Sequence, residues 1–361
     1  MRDVAVVGFA QRQMAHFDGS PTMVELLVPA FGDLWEQTGW TKDDIGFFCS
    51  GSSDYLAGRS FSFVSAVDAI GTLPPVNESH VEMDAAWALY EAWVKIQTGE
   101  VDTALVYGFG KSSAGVLRRV LTLQLDPYVL TPLWPDSVSI SALQARVGLE
   151  AGLWSEEDMA QVVARSRTAA ADNPYALLSG EVSVDKLLAE PMYADPLRKH
   201  DCAPVTDGVA AVIIAADDRA REVAERRGHE QLAWIRGIEH RVDAQNLSLR
   251  DLSDVASLRG AAAALDLDGV DVAELHAPFS HQELMSLTAL GLADDVLVNP
   301  SGGPLAGNPM FTGGVIRIGE AAARIWDGSA GRAVATATSG PAMQQNLVCL
   351  LDAAGTSIGG N

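Results

Sequence analysis

The sequence predicts a layered α/β fold, and three observations carry that reading. Short apolar runs of strand length alternate with longer segments of helical spacing. Through the first hundred residues they follow one another as strand, helix, strand, the order that builds layers around a sheet. The same order then returns after residue 225 at a nearly constant offset, with echoing segments that begin at residues 4 and 232, 43 and 269, and 101 and 331.

"DVAVVGFA" is a short apolar run ended by glycine and polar residues, a buried strand and turn rather than a signal peptide. "SPTMVELLVPAFGDLWEQTG" has helical spacing and stops at a glycine. "DIGFFCSGSS" reads as strand and turn, "DAAWALYEAWVKIQTG" as helix, and "VDTALVYGFG" as strand. Residues 111–195 break this rhythm. "QLDPYVLTPLWPDS" is rich in proline and aromatics, and "SEEDMAQVVARSRTAA" opens on a capping-box pattern, Ser155 with Asp158. We read the segment as a helical insertion covering a site. In the second half "LAWIRGIEHR" echoes "VAVVGFAQR", "GVDVAELHAPF" echoes "DDIGFFCSGSS", and "GRAVATATSG" echoes "VDTALVYGFG". Residues 1–225 and 226–361 are therefore expected to form two similar halves about a pseudo-twofold axis, with loops of both meeting at one cleft. Periodicity alone serves two unrelated α/β domains equally well.

Composition excludes several classes. A chain of 361 residues exceeds one ordinary core. With 48% hydrophobic and 20% charged residues it is not disordered, and no apolar run reaches the roughly 18 residues of a membrane span. The net charge of −22 opposes nucleic acid and anionic membranes. It also opposes a phosphorylated ligand, unless local arginines or a partner chain supply positive charge. Cys49, Cys202 and Cys349 form neither a disulfide framework nor a metal-ligand pattern, which fits the reducing cytoplasm.

One stretch stands apart. "VNPSGGPLAGNPMFTGG", residues 298–314, sets Gly302, Gly303, Gly307, Gly313 and Gly314 around the amide Asn308, backbone suited to close approach to a ligand. With "DPLRKHDCAPVTDGVAAVIIA" (195–215) and "AELHAPFSHQELMSLTALGL" (273–292), in that order, it resembles the thiolase superfamily, in particular the branch of sterol-carrier-protein-x thiolases and lipid-transfer proteins. The resemblance covers nearly the whole chain. It implies the five-layered αβαβα fold, a dimer, and coenzyme A thioesters as substrates with no covalently held cofactor.

The family's reactive residues do not carry over. The position of its nucleophilic cysteine falls near Glu82, with Met83 and Asp84 within register error. The histidine of its GHP motif falls on Asn308, and its second cysteine around Thr338 to Gly340. Thiolysis and Claisen condensation by the family's route should be absent. The glycines, with Ser339 and Gly340, are expected to hold an acyl-coenzyme A, and Asn308 to donate to its thioester oxygen. His276 matches the histidine of the family's HDxF segment. The departure resembles thiolase-like subunits of actinobacterial steroid side-chain aldolases, which work with a zinc-ribbon/OB-fold partner. A retro-aldol cleavage of a β-hydroxyacyl-coenzyme A needs no covalent nucleophile, and His276, Asp84, Glu82 and Asn308 are its candidate residues. The alternative is a catalytically silent subunit that scaffolds an active paralogue or carries lipid acyl-coenzyme A. It draws support from the absence of any tyrosine after Tyr193, where aldolases of this group use C-terminal tyrosines. Homodimer and heterodimer are both open.

Other residues have plainer readings. Glu82 and Asp84 at a helix start suit capping. Cys202 suits packing, Asp207 and Gly208 a turn, Arg118 and Arg119 either coenzyme A phosphates or solvent, and His281 a surface position on a helix.

Overall fold

A computed structural model describes residues 2–14, 22–57, 60–228 and 231–354. The first half supplies strands β1 (Val4–Met14), β2 (Phe47–Gly51), β3 (Glu78–Val81), β4 (Thr103–Gly110) and β5 (Val205–Ala216). The second supplies β6 (Ala233–Val242), β7 (Val272–Glu274), β8 (Leu297–Val298), β9 (Arg332–Ser339) and β10 (Gln345–Asp352). The longer helices are α1 (Met23–Thr38), α2 (Ala85–Gln97), α3 (Leu117–Thr122), α4 (Ser137–Glu150), α5 (Glu156–Ala169), α6 (Asp217–Arg227), α7 (Ala256–Ala262), α8 (Ser280–Leu290) and α9 (Gly313–Trp326). None is long and apolar enough to cross a membrane.

The strands lie in the order β8-β7-β9-β10-β6-β1-β5-β4-β2-β3. Read outward from the centre, 1-5-4-2-3 on one side is matched by 6-10-9-7-8 on the other. Directions match as well: β1–β5 and β6–β10 are antiparallel, as are β4–β5 and β9–β10, whereas β2 and β7 each run parallel to both neighbours. The halves join through β1 and β6, antiparallel at only Ala5↔Trp234 and Val6↔Ala233.

Alternation along the strands creates the layers. Phe47 and Cys49 face the central helices α2 and α9, while the intervening Phe48 faces α1 on the outside. Ala333, Ala335 and Ala337 likewise face the centre, and Val334 faces α7 and α8. The result is helix, sheet, helix, sheet, helix. The middle layer serves both sheets, and small residues let it fit: α2 contributes Ala85, Ala86, Ala88 and Ala92, and at Gly319 of α9 a Cβ would lie 2.2 Å from the Phe9 ring.

The insertion holds α3, α4 and α5, the last opened by the expected reciprocal bonds of Ser155 and Asp158. It returns through a short hairpin, Met192–Ala194 with Leu197–Arg198. One expectation is corrected. Asp207 and Gly208 lie within β5 rather than a turn: a Cβ at Gly208 would meet the Arg12 carbonyl at 2.4 Å, and Asp207 accepts from the Ser113 amide at 2.8 Å. Residue 225, where the first half is expected to end, lies in α6, which packs on β1 and β5 and is closed by Gly228 with a φ of 67°.

Candidate functional site

The N-termini of α2 and α9 converge at the middle of the molecule, and Asp84 joins them. As the N-cap of α2 its carboxylate accepts from Ala86 N at 2.9 Å. It also accepts from Gly314 N at 2.9 Å and Val315 N at 3.2 Å, the first turn of α9. Two helix ends with unsatisfied N–H groups would attract an anion, and Asp84 is that anion. A side chain at residue 314 would not fit, since its Cβ would stand 2.7 Å from Asp84 Oδ1. The capping expectation for Asp84 thus describes its contacts, at the floor of a cleft.

Beside it lies His276, 7% exposed. Its Nδ1 accepts from the Thr338 amide at 3.2 Å, so Nδ1 carries no proton and the neutral ring is protonated at Nε2. Nε2–H therefore donates to Asn308 Oδ1, 3.0 Å away, which leaves the Asn308 NH₂ as a donor into the cleft. Burial pushes the imidazole below its ordinary pKa, against the opposing charge of Asp84. With Nδ1 engaged and Nε2 protonated, His276 has no free lone pair for a base. Gly313 makes the pair possible: a Cβ there would meet His276 Nε2 at 2.4 Å and Asn308 Oδ1 at 2.8 Å.

Asp84, His276 and Asn308 line a cavity of about 760 Å³ between the insertion and both halves. Ser339 and Gly340 border it too, as do Leu121, Leu125 and Ile140 of the insertion and Phe279 and Met343 of the second half. Large enough for a bulky apolar acyl group, it is also lined by the cations Arg118, Arg167 and Lys199. Arg118 is held by Asp136 and donates to the Tyr193 hydroxyl at 3.1 Å. Among the described residues no carboxylate pairs with Arg167 or Lys199, and desolvation lowers the pKa of Arg167.

Other expected residues lie elsewhere. Glu82 is half exposed, 3.4 Å from His80 Nε2 and accepting from Asp54 N at 3.2 Å, outside the cavity. Gly302 packs on Ala170, and Gly303 on Asn299. Gly307 faces Gln13, so these three serve loop packing rather than the cavity wall. Arg119 is exposed and away from the cavity. His281 is corrected outright: it is fully buried, contacts Gln144 Oε1 at 3.2 Å, and has a pKa pushed down to about 3 by burial. Cys202 lines the cavity wall, but burial raises its thiol pKa to about 12, so it is no nucleophile.

Sequence reasoning missed His200, Glu190, Tyr193, Arg167 and Lys199 at the cavity. A signal existed for the histidine. "RKHDC" opens one of the three blocks, and the bridge Cys202↔Phe279 ties that block to the segment of His276.

No protein-family model matches the chain. It is similar to the acetyl-CoA acetyltransferase of Methanothermobacter thermautotrophicus, 25% identical over 367 residues that span 92% of this chain and 93% of that protein. It is also similar to human sterol carrier protein 2, 25% identical over 284 residues, 69% of this chain and 52% of that protein. Among solved structures it superposes on the Ltp2-ChsH2(DUF35) aldolase with TM-score 0.76 and 19% identity, covering 97% of this chain and 98% of that one. Human mitochondrial 3-ketoacyl-CoA thiolase gives TM-score 0.77 and 16% identity, covering 98% and 99%. The fold is that of thiolases. Over most of its length the chain is similar to thiolases.

Proposed function

We propose that the chain binds a bulky acyl-coenzyme A and cleaves it as a retro-aldolase in sterol side-chain catabolism, an aldol lyase rather than a thiolase. The single observation that carries the reading is the His276–Asn308 pair: an amide donor, its oxygen held by the imidazole, lines a largely apolar cavity where the resemblance expects a histidine. An amide cannot deprotonate a thiol, and near the position where the resemblance expects the nucleophilic cysteine the chain has Glu82 and Asp84, the latter bonded to two helix ends. A thioester oxygen against Asn308 would instead be stabilised as it becomes an enolate. The acyl group would lie along Leu121, Ile140 and Phe279, and the phosphates near Arg118, Arg167 and Lys199. The likeness to the Ltp2-ChsH2(DUF35) aldolase supports a partner, for which we propose a basic zinc-ribbon/OB-fold protein in the cytoplasm, alongside a thiolase-like dimer.

A second reading, a silent subunit beside an active paralogue, is favoured by the absence of tyrosine after Tyr193. Two assays on the full chain, alone and with the co-expressed partner, separate these readings. Acetoacetyl-coenzyme A with free coenzyme A should give no acetyl-coenzyme A. A β-hydroxyacyl-coenzyme A with a tertiary β-carbon should release a shorter acyl-coenzyme A. Thiolysis in the first assay would refute the changed chemistry, and no release in the second, with partner present, would favour the silent subunit.

A further inference from the structure

Retro-aldol cleavage needs a base for the β-hydroxyl proton, and His276 offers no lone pair. The same cavity is lined by another imidazole, that of His200. We propose, resting on the retro-aldolase reading, that His200 is the proton-transfer residue of this site and that Glu190 is its positioning residue.

His200 sits on the turn Lys199–Asp201 at the end of the insertion, its side chain 5% exposed, bordering the cavity. Its Nδ1 lies 3.0 Å from Glu190 Oε2. A carboxylate there accepts, so Nδ1 carries the proton and Nε2 the lone pair, the tautomer a general base requires. Among the described residues no group hydrogen-bonds to that nitrogen. The nearest acid, Asp201 Oδ2, is 3.8 Å from Nε2 and already accepts from Arg198 N at 2.7 Å, while Oδ1 accepts from Ser280 Oγ at 2.6 Å. The mounting is fixed from behind: Arg198 Nε donates to the Glu190 carbonyl at 3.1 Å, and Arg198 Nη1 pairs with Glu156 at 2.8 Å. Ala203 N donates to the Pro278 carbonyl at 2.8 Å, so the backbone carrying His200 is joined to the backbone carrying His276. The two histidines belong to one cavity but differ in the nitrogen they leave free.

In the reaction, His200 Nε2 takes the β-hydroxyl proton and the oxygen's electron pair forms a ketone. The Cα–Cβ bond breaks, its pair passing into the thioester enolate whose oxygen lies against Asn308. The imidazolium returns the same proton to Cα. Products are a ketone and a shorter acyl-coenzyme A, with no cofactor consumed.

The test uses the full chain with its partner and, as probe, the coenzyme A thioester of hydroxycyclopentylacetic acid with the hydroxyl on the substituted ring carbon, which should yield cyclopentanone and acetyl-coenzyme A. His200→Ala and His200→Gln should each lower kcat at least about 10²-fold with KM nearly unchanged. Added imidazole should restore part of the His200→Ala rate. Glu190→Gln should lower kcat about 10-fold, and Glu190→Asp should recover most of it. If the unsubstituted complex cleaves the probe and both His200 variants cleave it equally fast, or if lost turnover is not restored by imidazole, His200 is not the proton-transfer group. If the unsubstituted complex cleaves nothing, the retro-aldolase reading itself fails and the assignment with it.

Discussion

Replacing Asp84 with alanine should destabilise the protein heavily, because one carboxylate satisfies N–H groups of two buried helix ends. It receives Ala86 N at 2.9 Å, Gly314 N at 2.9 Å and Val315 N at 3.2 Å, and it is itself 3% exposed. Hydrogen bonds to a charged group contribute about 1.5–3 kcal/mol each. Taking the low end, because water from the cavity can reach part of the vacated space, the loss is about 4–5 kcal/mol. An unfolding entropy of about 2.1 cal/mol/K per residue over 361 residues converts this to a fall in Tm of about 6 °C. Asp84→Asn keeps one acceptor oxygen and should lose about half as much. Differential scanning calorimetry of the three proteins at neutral pH is the measurement. An alanine variant melting within about 1 °C of the unsubstituted chain would show that Asp84 does not join the two helices.

Three further outcomes follow from the same geometry. Gly313→Ala would place a Cβ 2.4 Å from His276 Nε2, so turnover in the retro-aldol assay should fall at least about 10²-fold while the fold survives by circular dichroism; an active Gly313→Ala protein would remove the His276–Asn308 pair from the mechanism. His276→Ala should lower kcat by about 10- to 100-fold through loss of Asn308 orientation, with acyl-coenzyme A affinity by calorimetry little changed; equal turnover would refute the assignment. His281, whose folded pKa of about 3 lies below its ordinary value near 6.5, stays neutral while the unfolded chain takes up a proton, so stability falls as pH drops through that window; denaturant titrations should show His281→Gln losing about 1 kcal/mol less than the unsubstituted chain between pH 7 and 5.5, and parallel losses would contradict the burial.

Much of the fold was legible because it is written in short-range periods. Phe47, Phe48 and Cys49 alternate between layers, and the echo of β1 in β6 survives as the apolar runs "VAVVGFA" and "LAWIRGI". The insertion announced itself through prolines and aromatics that fit neither period. Site residues were harder, because their roles depend on contacts across long separations. Glu82 and Asp84 differ by two positions, and only the arrival of α9, 230 residues later, distinguishes an exposed carboxylate from a shared cap. Gly302 and Gly313 look alike in sequence; one faces Ala170 and the other an imidazole. His281 opens a polar-looking helix start, yet Gln144 of α4 and Arg165 of α5 cover that face, burying His281 and Glu283. A period can reveal the stripe an element presents to its own sheet. It cannot reveal a lid encoded more than a hundred residues away.

The placement of β5 between β1 and β4 has a consequence for how the chain is made. Val4 pairs with Ala216, so β1 leaves the ribosome long before the strand it pairs with. At about 5–20 residues per second, those roughly 200 residues take about 10–40 s to synthesise. Throughout that interval Val4, Ala5, Val6 and Val7, all buried in the finished protein, lack the strand that covers them. Such a high contact order slows closure and leaves an apolar edge available to other nascent chains.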